Sequence, residues 1–401
     1  ATAVMPWVRL HAVRGYYDMI TLLEEFPQVR VNFNMTPVLV RQIRELAKGA
    51  VRDLWLEHAR KPAHDLSETE RVFVLENFFK IEWNTLLKPQ PRYAELLGRR
   101  GESMTREEGA KMLSMFSDQD FLDLQTWHNL GWCGFQAEKH YPELRDMKKK
   151  GAGFTEKEKN RVLDIHHEIL RGLLDKYRRL SEAGQIELTT TPYFHPIAPL
   201  IYDSDLAHRC MPGRTLPPRF HYPEDVEAQL RLASDQHLEV FGRRPRGLWP
   251  SEGSLAPELI PLIAGAGFDY ACTDEANLFR SLQQDPAWRD RAVDHLELFQ
   301  GWAAEHGGSR LRLVFRERPL SDFIGFVASK NPPDKAVQFL VRHLEQIGRA
   351  RNRLNAMAAL ILDGENAWEH FPDGGEGFCV INDVAVAVRV LRRERGLDRR
   401  G

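Results

Sequence analysis

Apolar residues recur along this chain with two different periods, and the change from one to the other divides it. "GYYDMITLLEE" (15–25) has helical spacing, and after Pro27 "VRVNFNMTP" alternates and is rich in β-branched and aromatic residues, so a helix followed by a strand is expected. From about 38 to 183 the pattern is almost entirely helical and polar. "DLSETERVFVLENFF", "SDQDFLDLQTWHNLGW" and "TEKEKNRVLDIHHEILRGLLDKYRRLSEAG" each open on Ser, Thr or Asp in capping positions. This predicts a long helical insertion at about 40–183, without an internal repeat.

After Gly184 the strand signal returns in "QIELTTTPYFH" (185–195), "RGLWPSEGS" (246–254), "FDYACTDEA" (268–276), "LRLVFRER" (311–318) and "AMAALILDGENAW" (356–368). Helical stretches separate them, among them "EDVEAQLRLASDQHLEVFG", "APELIPLIAGAG" and "DKAVQFLVRHLEQIG". Strands alternating with helices imply an α/β fold with a parallel sheet and right-handed crossovers. Strands that end in polar clusters suggest a barrel with its site at the strand C-termini. An open doubly wound sheet accounts for the alternation as well, but no GxGxxG or GxxxxGK[ST] follows any strand, which removes the main support for its nucleotide-binding version.

A chain of 401 residues suits one large barrel with insertions, or two domains. With 43% hydrophobic and 28% charged residues and a formal net charge of −2, it gives no electrostatic reason to expect nucleic acid or an anionic membrane as partner. A small or polymeric neutral ligand is expected instead. Cys133, Cys210, Cys272 and Cys379 form no CxxC pair and read as thiols of a reducing cytosol. No apolar run of about 18 residues and no secretion-type N-terminus is visible, so a cytoplasmic protein is expected.

What distinguishes the strands is how they end. "TTPYFHP" presents His195, "LWPSEGS" presents Glu252 beside Trp249, "ACTDEA" presents Asp274 and Glu275, and "LDGENAW" presents Asp363, Glu365 and Trp368. Any single acid there reads first as an ion pair capping the sheet. Their recurrence on four strands points to a shared polar cavity, because charged groups at the ends of apolar strands are costly to bury unpaired. Two carboxylates flanking a bond, with aromatic rings nearby as platforms for sugar faces, are the minimum apparatus of glycoside hydrolysis. Trp249, Trp368, Tyr193 and Phe194 suit that use, against a plain alternative of rim packing. An open metal site built from His195 with Asp274, Glu252 or Asp363 competes, although no HxH, HxxxH or HExxH spacing is present. His166 and His167 are adjacent on a helix and point to different faces.

"GQIELTTTPYFHPI", "RGLWPSEGSLAPELIPLIAGAGFDYACTDE", "LVFRERPLSDFIGF" and "LILDGENAWEHF", together with the opening "MPWVRLHAVRGYYDMITLLEEFPQVRVNFNMTP", resemble successive regions of glycoside hydrolase family 57 over residues 5–372. The resemblance implies a barrel of seven β/α units acting on α-1,4- and α-1,6-linked glucans with retention of configuration, and no metal or organic cofactor for the chemistry. Matched position by position, it gives Glu252 as nucleophile and Asp363 as general acid/base, with His195, Trp249, Asp274, Glu365, Trp368 and His11 around the substrate. "LWPSEGS" with "LDGENAW" looks more like the amylopullulanase-type branch than the branching-enzyme branch. The family's first strand, ending in His-Gln-Pro, has no counterpart before "MPWVRLH", so a barrel lacking its first strand is expected, with activity impaired.

A second resemblance begins where the first ends. "GEGFCVINDVAVAVRVL", within residues 371–395, is similar to a fragment of the zinc-dependent histone deacetylases, without that family's zinc ligands. The division expected is thus a glycosidase-like domain at 1–372 and a short tail at 373–401, the tail reading as an amphipathic helix with a basic end. Two alternatives stay open: a metal-dependent mannosidase or deacetylase-like hydrolase using His195, Asp274 and Asp363, and an inactive carbohydrate-binding remnant.

Overall fold

The computed structural model describes residues 2–288, 294–350, 357–362 and 386–387. Asp363, Glu365 and Trp368 and nearly all of the tail lie outside the described residues. Nine strands occur among those described: β1 (Thr2–Ala3), β2 (Val31–Asn34), β3 (Arg52–Asp53), β4 (Ile186–Thr189), β5 (Gly247–Leu248), β6 (Tyr270–Asp274), β7 (Trp302–His306), β8 (Ser309–Arg316) and β9 (Val386–Ala387). The chain divides into two compact units, one holding residues 1–27 and 38–180, the other 28–37 and 181–363.

In the first unit, capping chemistry starts the helices. Ser67, Thr105 and Ser117 each accept the N–H three residues on, and Glu70, Glu108 and Asp120 return a bond to the cap's own N–H. Burial then holds them together: Trp55, Trp127, Tyr93, Phe78, Phe79, Phe121 and Phe154 are all under 2% exposed. The polar reading of this region needs correcting on two points. Helix Asp118–Gly131 is buried on every face from Asp120 onward, because Asp123, Gln125 and Asn129 find partners inside and so can be enclosed at little cost. The region is also not wholly helical, since β3 pairs parallel with β1.

One buried chain of side chains spans this helical unit. Arg9 Nε donates to Asp53 at 2.8 Å and Arg9 Nη1 to Asn129 at 2.9 Å, with His166 Nδ1 at 3.0 Å. His166 Nε2 in turn lies 3.4 Å from Cys133 Sγ. A glycine carries another long-range tie: Asp18 accepts the N–H groups of Phe135 and Gln136, which start a helix, and a Cβ at Gly134 would come within 2.4 Å of the Asp18 carboxylate.

In the second unit, β2 and β4 pair parallel in the register Val31↔Ile186 to Asn34↔Thr189. Thr190 bridges to Leu248 on β5, β5 pairs with β6, and β6 pairs with β8, all parallel. A parallel bridge from Arg316 to Ala359 adds segment 357–362 beside β8. The five sequence-expected strand regions after Gly184 are therefore neighbours in space. Leu248, Ala271 and Leu311 pack with Val226, Leu230, Ile260 and Ile263 of the flanking helices. The opposite face is polar: the Tyr270 hydroxyl donates to Glu187 at 3.1 Å, and Asn32 Nδ2 donates to both Tyr270 and Glu187. Gly247 makes room for this, since a Cβ there would fall 2.3 Å from the Tyr270 ring.

Two elements differ from expectation. β7 runs antiparallel to β8, joined through Gly307 and Gly308, whose φ values of +55° and +75° make the tight turn. In the tail, Val386–Ala387 is extended and pairs antiparallel with β2 at Phe33 and Asn32, where a helix was expected. "VAVAV" alternates strictly, which fits the period of an edge-pairing strand as well as a helix face.

Candidate active site

Two prolines prepare the site. Chain leaving β4 passes Pro192, and the His195 N–H closes a turn on the Pro192 carbonyl at 2.9 Å. Chain leaving β5 passes Pro250, and the Gly253 N–H closes a turn on the Pro250 carbonyl at 2.8 Å. The two turns put His195 at φ +57° and Glu252 at φ +56°, and these are the only non-glycine residues at positive φ among the described residues. Left-handed backbone at a side chain with a Cβ is strained by about 1–3 kcal/mol and persists where surrounding structure enforces it.

That structure is visible on both sides. Tyr193 N–H donates to the Gln229 carbonyl and Phe194 N–H to Gln229 Oε1, so the helix Pro223–Phe241 holds the first turn. Trp249 N–H donates to the Thr190 carbonyl at 2.8 Å, tying the second turn to the first strand end. Thr273 Oγ1 donates to the Gly253 carbonyl at 2.5 Å, and Gly253 has the Trp249 ring against it at 3.4 Å from where a Cβ would stand. At φ +66° glycine takes this position without the strain that a side chain would bring.

The result is one contact: His195 Nε2 and Glu252 Oε1 are 3.3 Å apart. The His195 side chain is 11% exposed and that of Glu252 is 70% exposed. A carboxylate is thus held by a buried imidazole while its face stays open to a ligand.

Asp274, at the end of β6, behaves differently. It caps the next helix through the Ala276 N–H at 2.9 Å and is paired with Arg318 Nη2 at 2.5 Å. Arg316 Nη1 approaches its other oxygen at 3.9 Å. Beside it Glu317 is buried, 3% exposed, and burial pushes its carboxyl above the usual range. These three charged residues were missed as individuals in the sequence, although "FRER" closing an apolar strand is the same signal that marked the other strand ends. His11 belongs to the other unit, where it is 5% exposed with its ring edge-on to Trp132 at 5.4 Å. Asp363, Glu365 and Trp368 are beyond the described residues, though the apolar strand leading to them is present and buried at Ala358, Ala359, Leu360 and Ile361. Among the described residues no three His, Cys, Asp or Glu side chains group as a metal site, and no helix is long and apolar enough to cross a membrane.

The model of glycosyl hydrolase family 57 matches residues 3–380. The chain belongs to that family. Similar relatives include alpha-amylase 1 of Dictyoglomus thermophilum, 23% identical over 192 residues, which is 48% of this chain and 22% of the relative. A 4-alpha-glucanotransferase of Thermococcus kodakarensis is 23% identical over 172 residues, 42% of this chain and 20% of the relative. The matched stretch thus spans about a fifth of the length of these curated relatives. Among solved structures, a family 57 branching enzyme of Thermococcus kodakaraensis covers 91% of this chain and 62% of its own at 14% identity and a TM-score of 0.46. The alpha-amylase AmyC of Thermotoga maritima covers 81% and 44% at 14% identity and a TM-score of 0.38.

Proposed function

We propose that this family 57 chain is a retaining glycoside hydrolase or transglycosylase acting on α-1,4- or α-1,6-linked glucans, with Glu252 as nucleophile and Asp363 as general acid/base. The observation that carries the reading is the Glu252 carboxylate, exposed at a strand end and held by His195 from a strained turn. Names borne by relatives, amylase and glucanotransferase, support the substrate class.

In this reading Glu252 attacks the anomeric carbon while Asp363 protonates the departing glycosidic oxygen, leaving a glycosyl ester on Glu252. Asp363 then takes a proton from water or from an acceptor sugar hydroxyl, which attacks the same carbon and frees Glu252. His195 Nε2–H donates to one carboxylate oxygen and leaves the other for attack. Trp249, Trp368, Glu365 and Asp274 would border the bound sugar, with Asp274 acting through its pair with Arg318. The parallel strands β2, β4, β5, β6 and β8 with segment 357–362 suit a seven-unit barrel, the deacetylase-like tail being an addition to it. Cys133, Cys210 and Cys272 are free thiols, which suits a cytoplasmic enzyme.

Assay of Glu252→Gln and Asp363→Asn beside the parent on maltooligosaccharides and pullulan tests this. Glu252→Gln is expected to lose about 10⁴-fold or more in kcat. Products from the parent should first appear in the α configuration by proton NMR. Equal rates in parent and Glu252→Gln, or inverted product, would overturn the reading.

A further inference from the structure

The end of segment 357–362 is held in an unusual way. Upstream its backbone is paired with backbone: Met357 N–H donates to the Phe299 carbonyl at 3.1 Å, and the Ala359 carbonyl accepts from Glu317 N–H at 2.8 Å. At Ile361 both backbone groups go to side chains instead. Its N–H donates to Ser321 Oγ at 3.2 Å, and its carbonyl accepts from Arg316 Nε at 3.0 Å.

Both side chains are themselves fixed. The Ser321 hydroxyl donates to the Glu317 carbonyl at 2.5 Å and the residue is 1% exposed. Arg316 stands at the last position of β8, its side chain 19% exposed, with Nη2 donating to Asp322 at 2.5 Å and Nη1 turned toward Asp274 at 3.9 Å. A planar guanidinium with three separate partners cannot rotate without giving up at least one of them.

We propose that Arg316 and Ser321 are positioning residues: they clamp the backbone N–H and C=O of Ile361 and so fix the end of the segment that leads, in sequence, to the proposed acid/base. The inference rests on the assignment of Asp363, which follows Ile361 by two residues in the sequence. A backbone held only by neighbouring backbone can slide or fray at a strand end, whereas a residue whose N–H and C=O are both held by fixed side chains moves only by breaking those bonds. Catalysis by a proton donor needs that fixity, since a misplacement of about 1 Å costs about 10²-fold. The cation also biases the local charge. Asp274 and Asp322 face Arg316, Arg318 pairs with Asp274, Glu275 accepts the Arg318 N–H, and Glu317 lies buried with His295 at 4.0 Å.

The test uses the full chain with Arg316→Gln, Arg316→Lys and Ser321→Ala, read by kcat, KM, a pH profile on a maltooligosaccharide, and hydrogen exchange of the peptide covering 357–362. Arg316→Gln should lower kcat about 10²-fold while KM stays within about 2-fold. Loss of the positive charge should move the alkaline limb of kcat/KM to higher pH, because that limb reports the acid form of the donor. Arg316→Lys should restore the limb but not kcat, since it keeps the charge and loses the planar fork. Ser321→Ala should speed exchange at Ile361 about tenfold and leave the limb in place. If Arg316→Gln fails to fold, Ser321→Ala decides through its exchange and kcat.

An unchanged kcat, limb and exchange rate in folded variants would overturn the proposal. Should Asp363→Asn match the parent, or the parent show no activity, the acid/base assignment falls and with it the proposed purpose of the clamp. Exchange at Ile361 would still tell whether the clamp itself exists.

Discussion

In each unit of this protein acids meet bases from far apart in sequence, and two of these pairs, one in each unit, are built in opposite ways. In the helical unit Arg9 and Asp53 meet at 2.8 Å with both side chains 2% exposed, and neither residue has positive φ. In the sheet unit His195 and Glu252 meet at 3.3 Å, with Glu252 70% exposed and both residues at positive φ. Tight geometry and deep burial belong to the pair that holds the architecture. Loose geometry, exposure and backbone strain belong to the pair at the strand ends, where the proposed nucleophile would have to be reachable and yet aimed.

The sharpest way to break this contrast is to remove one member of the buried pair. Asp53→Ala leaves the Arg9 guanidinium enclosed without its anion and is expected to cost about 3–5 kcal/mol by urea unfolding. A loss below about 1 kcal/mol would mean that the buried pair does not hold the architecture. The matching change in the sheet unit is His195→Asn, because asparagine tolerates left-handed backbone and is too short to reach Glu252. It should leave the urea midpoint nearly unchanged and lower kcat/KM about 10–100-fold, the worth of a hydrogen bond to a charged group.

Acid sharpens the comparison further. Burial, with Arg9 nearby, drives the His128 pKa down to about 3, and the same causes hold His166 well below the usual histidine range. Both stay neutral in the folded unit while the unfolded chain takes up protons below about pH 6.5. Stability should therefore fall as pH falls from about 6.5 toward 3, by up to about 1.4 kcal/mol per pH unit for each histidine. His128→Leu should flatten that slope in thermal melts taken across the range, and an unaltered slope would remove His128 as a cause. At the small end, Phe194→Ala beside the site should shift stability by less than about 0.5 kcal/mol, since the ring is 60% exposed.

Much of the sheet unit was legible because strand signals are local. "VRVNFN", "QIELT", "DYACTD" and "LRLVFR" carry their own alternation and turn punctuation, and they appear as β2, β4, β6 and β8. The β7–β8 hairpin went unread even though its Gly307-Gly308 turn is a strong local signal, because "WAAEH" before it is weakly apolar. The helical unit was legible in its caps and misjudged in its surface. Asp123, Gln125 and Asn129 look solvated in sequence, and only long-range partners such as Arg92, His58 and Arg9 make their burial tolerable, while His128 is enclosed as a neutral ring. The sequence pattern placed His195, Glu252 and Asp274 at strand ends, where the structure has them, whereas positive φ and the Arg316–Ser321 grip depend on backbone geometry that no residue type announces.

The cluster of Asn32, Glu187 and Tyr270 has a further consequence, in time. Asn32 and Glu187 are 155 residues apart, and the chain that builds most of the helical unit lies between them. At a synthesis rate of about 5–20 residues per second, β2 leaves the ribosome roughly 8 to 30 s before its parallel partner exists. During that interval its row of N–H and C=O groups has no β4 to receive it, and the antiparallel partner Val386–Ala387 is made later still. The sheet unit therefore cannot begin to close until the helical unit between its first two strands has been made, so the order of synthesis imposes an order of assembly.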